Sequence, residues 1–114
     1  MQSPFRLDVR NEDSGTVIGI AGELDLASSP ALEQSLERVF ASGAPIVILD
    51  LRELDFMDST GLSVLIRAQQ TAEDAERKLC LVKGPPQVQR LLSLTGVADR
   101  LAVIDTPEDA LGGG

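Results

Sequence analysis

The feature of this sequence that most constrains its fold is an apolar strand pattern followed by a helix that begins with hydroxyl side chains. The β-branched run from Ile46 to Leu51 predicts a buried strand. After a predicted loop at 52–57, the segment Asp58-Ser59-Thr60-Gly61-Leu62 starts a second apolar periodicity, this time at helical spacing. The chain is therefore predicted to carry a hydroxyl-rich turn at the N-terminus of a helix.

The N-terminus of that helix is suited to an oxygen-rich group, because its first N–H groups have no partner within the helix. Asp58 is a good N-cap, and Ser59 and Thr60 then fall in the first turn. Glycine in a helix costs about 1 kcal/mol relative to alanine, so Gly61 indicates a close approach to the backbone. Taken alone, these residues favour a capped helix that packs tightly against a strand.

The rest of the chain alternates strand patterns with helical ones. Strands are predicted at 5–10, 16–21, 46–51, 79–82 and 101–104. The short turn at 11–15 makes the first two strands an antiparallel hairpin. An intervening helix makes the third strand parallel to the second.

Helices are predicted between these strands from their caps and stops. The first begins at Ser29 as N-cap and ends at Gly43, and the second begins at Asp58. The third follows the Gly-Pro-Pro turn at 84–86 and stops near Gly96, and a short one starts at Thr106. The resulting order is ββαβαβαβα, which predicts an α/β sandwich with a mixed sheet.

Composition limits the functions that this chain can perform. Its formal net charge is −8, from 18 acidic and 10 basic residues, and this argues against nucleic acid as a partner because phosphate binding needs a basic face. The chain has no histidine, so Ser59 is not a conventional hydrolase nucleophile. One cysteine without histidine excludes a zinc site, and Cys80 is predicted to pack as a small hydrophobe on a strand. We expect neither a metal nor another cofactor.

Length predicts a single domain, and the cysteine content and hydropathy predict where in the cell it lies. The 114 residues suffice for a single core, which we assign to residues 1–111, with a flexible glycine tail at 112–114. A single cysteine allows no disulfide within the chain. No apolar run approaches the ~20 residues that span a bilayer. We therefore expect no membrane partner and a cytoplasmic location.

Two motifs together resemble those of the bacterial anti-sigma-factor antagonists, which are single-domain members of the STAS group (sulfate transporter and anti-sigma antagonist). The motifs are Gly22-Glu23-Leu24-Asp25 after the second predicted strand and Asp58-Ser59-Thr60-Gly61-Leu62 after the third. The element order and the Gly-Pro-Pro turn are also similar to that group, so the resemblance covers nearly the whole chain. It implies a STAS-like sandwich whose helices pack mainly on one face of the sheet.

The resemblance implies a partner switch rather than an enzyme. In that family, the unmodified antagonist binds an anti-sigma factor that is also a serine kinase, and this liberates the sigma factor. The kinase then phosphorylates the motif serine, the modified antagonist dissociates, and a serine phosphatase resets it. By position, Ser59 is the expected phosphoacceptor, Asp58 the adjacent acid that orients it, and Asp25 the acid across the loop. Many members have serine where this chain has Thr60, which makes Thr60 a secondary candidate.

The switch and its partner-binding surface are expected in the two motifs and just before the second. The residues are Glu23, Asp25, Phe56, Met57, Asp58, Ser59, Thr60 and Gly61. These acids, with Asp55, predict a local field that is already negative, so that a phosphate repels the partner while the fold survives. Apolar residues at this site either form an exposed docking surface or belong to the core. They are Leu24, Leu26, Phe56 and Met57.

Two alternatives stay open at the level of sequence. The first is a magnesium-dependent phospho-aspartate receiver with Asp50 as acceptor, Lys83 at another strand end, and an acid cluster at 12–13. Its doubly wound fold needs a helix between the first two strands, which the pattern here lacks. The second is another STAS-type module: a stress-complex scaffold, a lipid-transport accessory subunit or a nucleotide-sensing module. The sequence predicts no oligomeric state.

Overall fold

A computed structural model describes residues 4–112 of the chain. Its strands are β1 (Arg6–Asn11), β2 (Thr16–Leu24), β3 (Ile46–Met57), β4 (Lys78–Val82) and β5 (Ala102–Ile104). Its helices are α1 (Ser29–Ala41), α2 (Ser59–Asp74), α3 (Pro86–Leu94), α4 (Val97–Arg100) and α5 (Glu108–Leu111). The strands form one sheet in the order β1-β2-β3-β4-β5.

The sheet is mixed, as the pattern of hairpin and crossovers predicts. β1 is antiparallel to β2, and the remaining neighbours are parallel. The parallel pairs follow from the helices between them, because a helix returns the chain to the end at which the previous strand began. The parallel strands therefore end together at one edge of the sheet.

The helices lie mainly on one face of the sheet, which confirms the prediction. Residues of α1 to α4 form the main core with alternate residues of the central strands, namely Ile18, Ile20, Val47, Leu49, Leu79 and Leu81. The opposite face carries a smaller cluster that α5 covers through Ala110 and Leu111. Cys80 is buried in that smaller cluster, as predicted, and its burial raises the pKa of the thiol.

Both central strands are longer than predicted. β2 continues to Leu24 rather than ending at Ala21, so most of the first motif lies within the strand instead of following it. β3 continues to Met57 rather than ending at Leu51, and the predicted loop at 52–57 is extended and paired.

Bulges explain why the sequence pattern hides these extensions. The register between β2 and β3 shifts between Gly19 and Ala21 and again between Gly22 and Glu23. In the outer half of β3 the buried residues therefore recur at every third position instead of every second. A strand without period-two alternation resembles a loop in the sequence.

Two helix predictions need correction. The N-cap of α1 is Ser28, and Ser29 is the buried first residue of the helix. Gly96 does not simply end α3, because its φ of +79° redirects the chain into the additional one-turn helix α4. The observed order is therefore ββαβαβααβα.

The predicted glycine tail falls largely outside the described residues. Gly112 has a φ of +66° and ends α5, whereas residues 113 and 114 are not described. Between residues 4 and 112, no helix combines the length and apolar character that a membrane crossing requires.

Candidate functional site

The two sequence motifs meet where β2 and β3 end side by side. Leu24 and Met57 are register partners at the ends of these parallel strands. The N–H of Asp58 donates to the carbonyl oxygen of Leu24 at 3.1 Å, which joins the end of one strand to the start of α2. Asp25 and Asp58, which follow these partners, therefore lie at the same edge of the sheet.

Asp58 caps α2, as the sequence predicts. Its backbone is extended, and its Oδ1 accepts hydrogen bonds from the N–H groups of Thr60 at 2.9 Å and Gly61 at 3.0 Å. The sequence indicated that this helix N-terminus could bind an external oxygen-rich group, and the structure corrects that interpretation. Two of the first-turn donors are already occupied by the carboxylate of the chain itself.

Ser59 is the first residue of α2 and is exposed. Among residues 4–112, no group forms a hydrogen bond with its side-chain hydroxyl, while its carbonyl oxygen accepts from the Ser63 hydroxyl at 3.0 Å. Thr60 is half-buried. Ser59 thus presents an exposed alcohol on a backbone that hydrogen bonds hold both at its own carbonyl oxygen and at the two following N–H groups.

Gly61 is required by packing within the fold. A Cβ at this position would lie 2.8 Å from Leu24 Cγ, 2.9 Å from the Leu24 carbonyl oxygen and 2.9 Å from Met57 Cγ. The close approach that the sequence indicated is therefore the contact of α2 with β2 and β3. This confirms the interpretation of a helix packed tightly against a strand.

Asp25 orders the loop between β2 and α1. Its Oδ1 accepts from the N–H groups of Ala27 and Ser28, each at 3.0 Å. The Ser28 hydroxyl accepts from the Asp25 N–H at 2.9 Å and lies 2.8 Å from the Glu23 carbonyl oxygen. Sequence reasoning missed Ser28, although an Asp followed by a Ser three residues later is typical of such a turn.

The apolar residues at the site divide into core and surface. Leu24 is fully buried and Met57 is 5% exposed, so both belong to the core and the expected contribution of the Met57 side chain to a docking surface is lost. Phe56 is 48% exposed and Leu26 is 74% exposed. An exposed aromatic and an exposed leucine therefore accompany the acidic side chains at this edge.

Asp50 lies on β3 away from the strand end at which the sequence placed it. It forms a bidentate ion pair with Arg52, in which Arg52 Nη2 lies 2.7 Å from Oδ2 and Arg52 Nε lies 3.0 Å from Oδ1. Burial opposes ionisation of Asp50, but the hydrogen bonds from the guanidinium and amide of Arg52 outweigh it and hold the pKa of the carboxyl below its usual value. The pair lines a groove of about 390 Å³ over β1, β2 and β3.

Asp50→Asn is expected to lower the free energy of unfolding by about 1 kcal/mol at neutral pH. Because the pKa is lowered in the folded state, the stabilisation is complete above the unfolded value near 3.9 and is lost as the pH falls through the folded value. The difference between wild type and variant should therefore shrink below about pH 4. Urea unfolding between pH 3 and 7 measures it.

The control for this prediction is the exposed Arg6–Glu53 pair, whose charged atoms are 3.8 Å apart. Glu53→Gln should change stability by less than about 0.5 kcal/mol at every pH tested. An equal effect of the two substitutions would contradict the role assigned to burial and hydrogen bonding at Asp50.

The topology excludes the receiver alternative. A doubly wound receiver has parallel strands with its first strand inside the sheet. Here β1 is an antiparallel edge strand, and Asp50 is followed by seven more residues of the same strand, Leu51 to Met57.

Comparisons with known proteins agree with this fold. A model of the STAS domain matches residues 6–110. The anti-sigma-B factor antagonist of Bacillus subtilis is 31% identical over 109 residues, which are 96% of this chain and 96% of that protein. The crystal structure of an anti-sigma factor antagonist from Mycobacterium paratuberculosis is 28% identical in sequence and has a TM-score of 0.88. The match covers 99% of this chain and 97% of the Mycobacterium chain.

Two solved structures of the Bacillus protein SpoIIAA share the fold. Its unphosphorylated form has a TM-score of 0.79 at 21% identity, and its phosphorylated form has one of 0.72 at 22% identity. Each comparison covers 96% of this chain, with 95% and 98% of the respective SpoIIAA chains. At these identities the likeness concerns the fold alone.

The extent of the family match and the identity to the Bacillus subtilis protein show that this chain belongs to the STAS domain family. Within the family it falls among the anti-sigma factor antagonists, and it spans nearly the full length of the relatives compared above.

Proposed function

We propose that this chain is a phosphorylation-controlled anti-sigma factor antagonist. In its unmodified form it binds an anti-sigma factor that is also a serine kinase, and phosphorylation of Ser59 releases that partner. A serine phosphatase restores the binding form, and the chain itself catalyses no step. The cycle takes place in the cytoplasm. The observation that carries the proposal is the exposed Ser59 hydroxyl at the start of a capped, tightly packed helix.

Ser59 is favoured over Thr60 as the phosphoacceptor because of exposure. A kinase must bring ATP within reach of the hydroxyl, and Ser59 is exposed whereas Thr60 is half-buried. Thr60 is also fixed through its N–H to Asp58, which limits how far its backbone can move toward an active site.

The proposed switch is a change of surface charge. A phosphate adds about −1.5 to −2 charges beside Asp58 at pH 7. The N–H groups of Thr60 and Gly61 are engaged by Asp58, so they are not available to neutralise the phosphate unless the cap breaks. The new charge therefore faces the partner. The related fold of SpoIIAA in both phosphorylation states supports a switch without refolding.

The proposed docking surface combines the exposed apolar side chains with the acids around Ser59. Phe56 and Leu26 would supply apolar contact area, and an exposed aromatic is a common energetic anchor of protein interfaces. Asp58 directly precedes the switch serine, and Glu23 and Asp25 lie at and just after the end of the neighbouring strand β2, so this edge of the sheet is acidic. The matching partner surface would be apolar opposite these two side chains and fitted to a neutral hydroxyl opposite Ser59, so it offers no cation to a negative charge added there.

Site mapping tests the proposal directly. The purified chain is incubated with ATP and each anti-sigma factor kinase of the host, and phosphopeptides are located by mass spectrometry. We expect one phosphate on Ser59 in the wild type, the same phosphate in Thr60→Val, and none in Ser59→Ala. Phosphate on Thr60 of the wild type, or its persistence in Ser59→Ala, would contradict the assignment.

A further inference from the structure

β1 is an edge strand whose outer side is unpaired in the part of the chain that the structure describes. It pairs with β2 on one side and with no other strand of residues 4–112. Five of its six residues are exposed, and among them is Val9, whose side chain is 45% exposed. An exposed edge of this length is a template for another strand.

The hairpin fixes which backbone groups of β1 point outward. Glu12 and Gly15 exchange both backbone hydrogen bonds, at 2.8 and 3.4 Å. In an antiparallel ladder, hydrogen-bonded and non-hydrogen-bonded pairs alternate. Counting back from the turn, the residues whose N–H and C=O groups point away from β2 are Leu7, Val9 and Asn11.

The charges along this strand are self-complementary about Val9. In an antiparallel pair of two copies with Val9 opposite Val9, Asp8 lies opposite Arg10 and Arg10 lies opposite Asp8. The same register places Arg6 opposite Glu12 of the other copy, just beyond the strand end. The outward groups of Leu7 and Asn11 then face each other across the interface. Every charged residue of the strand thus meets an opposite charge.

Two other symmetric registers are poorer. A pairing about Asp8 places Asp8 opposite Asp8 and Arg6 opposite Arg10, which are like charges directly across the ladder. A pairing about Leu7 does place Arg6 opposite Asp8. It also places Arg10 opposite Pro4, which has neither a charge nor a backbone N–H.

We propose that a second copy of this chain binds antiparallel along β1, with Val9 on the two-fold axis, to form one continuous sheet. The exposed valine is covered in this arrangement, and the edge groups of Leu7, Val9 and Asn11 gain hydrogen bonds. The site around Ser59 follows β3, two strands away from the interface, so both copies keep it accessible. The proposal does not depend on the proposed partner switch.

Sedimentation velocity of the full chain over a range of concentrations tests this dimer. The wild type should show a concentration-dependent dimer. Asp8→Arg places an arginine opposite Arg10, and Arg10→Asp places an aspartate opposite Asp8. Each substitution should therefore raise the dissociation constant of the dimer by at least about tenfold. The double variant Asp8→Arg/Arg10→Asp restores opposite charges and should return to within about threefold of the wild type.

Folding of the variants is checked by far-UV circular dichroism, and both side chains are exposed. If either single variant fails to fold, Glu12→Arg in the exposed turn makes the same test against Arg6. A wild-type chain that stays monomeric at several hundred micromolar would overturn the proposal. So would a dimer that these charge reversals leave unchanged, or a double variant that does not recover.

Discussion

Ser59→Asp is expected to bind the anti-sigma factor about 100-fold more weakly than the unmodified chain. The substitution adds a carboxylate beside Asp58, at a helix start whose N–H groups at Thr60 and Gly61 are already engaged. Like charges brought together in an interface cost several kcal/mol, and about 1.4 kcal/mol corresponds to a tenfold change in affinity. Titration calorimetry against the purified anti-sigma factor measures the loss.

Two neutral variants are the controls for this prediction. Ser59→Ala should bind within about threefold of the wild type, because the hydroxyl is exposed and its loss leaves no buried group unpaired. Ser59→Asn has nearly the shape of the aspartate without its charge and should retain more affinity. If the asparagine and aspartate variants bind equally weakly, the effect is steric and the charge account is wrong.

Stability measurements separate lost binding from lost structure in these variants. An acidic residue in the first turn of a helix stabilises it by roughly 0.3 to 1 kcal/mol. Ser59→Asp should therefore have a urea midpoint at or slightly above that of the wild type. A lowered midpoint would mean that the added charge disturbs the Asp58 cap rather than the partner alone.

Gly61→Ala is expected to lower the free energy of unfolding by about 2 kcal/mol. The added methyl group would overlap Leu24 and Met57, and one of the three close atoms is a backbone oxygen that cannot rotate away. Helix propensity alone predicts the opposite sign, because alanine is about 1 kcal/mol better than glycine inside a helix. Urea unfolding of the wild type and the variant decides between the two effects.

Gly19→Ala is the matched control for this substitution. A Cβ at Gly19 would have its nearest contacts at 3.6 and 3.7 Å, both with Asp8, which is ordinary van der Waals separation. Its stability should stay within about 0.5 kcal/mol of the wild type. A Gly61→Ala variant that is more stable than the wild type would show that the start of α2 can move away from the sheet.

The sequence predicted the local features of the site well because they depend on neighbouring residues. Asp58 caps residues two and three positions further along the chain, and this spacing is visible in the sequence. The mixed sheet was likewise predictable from the short hairpin and the alternating patterns, whereas the placement of the helices mainly on one face was implied by the family resemblance. The loop contacts of Asp25 are equally local, because its carboxylate accepts from the N–H groups two and three positions further along the chain.

Features that depend on pairing between distant segments could not be predicted from the sequence. The extension of β3 to Met57 rests on its bulged register with β2, which removes the period-two signal. The burial of Met57 and the exposure of Phe56 follow from that register, so their roles could not be separated beforehand. The neighbours that exclude a side chain at Gly61 also come from this pairing.

The most direct test of the proposed switch compares the affinity of the anti-sigma factor for the unphosphorylated chain with its affinity for the chain stoichiometrically phosphorylated on Ser59. We predict at least about a 100-fold weaker complex for the phosphorylated form. Backbone amide shifts of the free chain should change near the start of α2 and stay the same across the sheet. Equal affinities of the two forms would contradict the account.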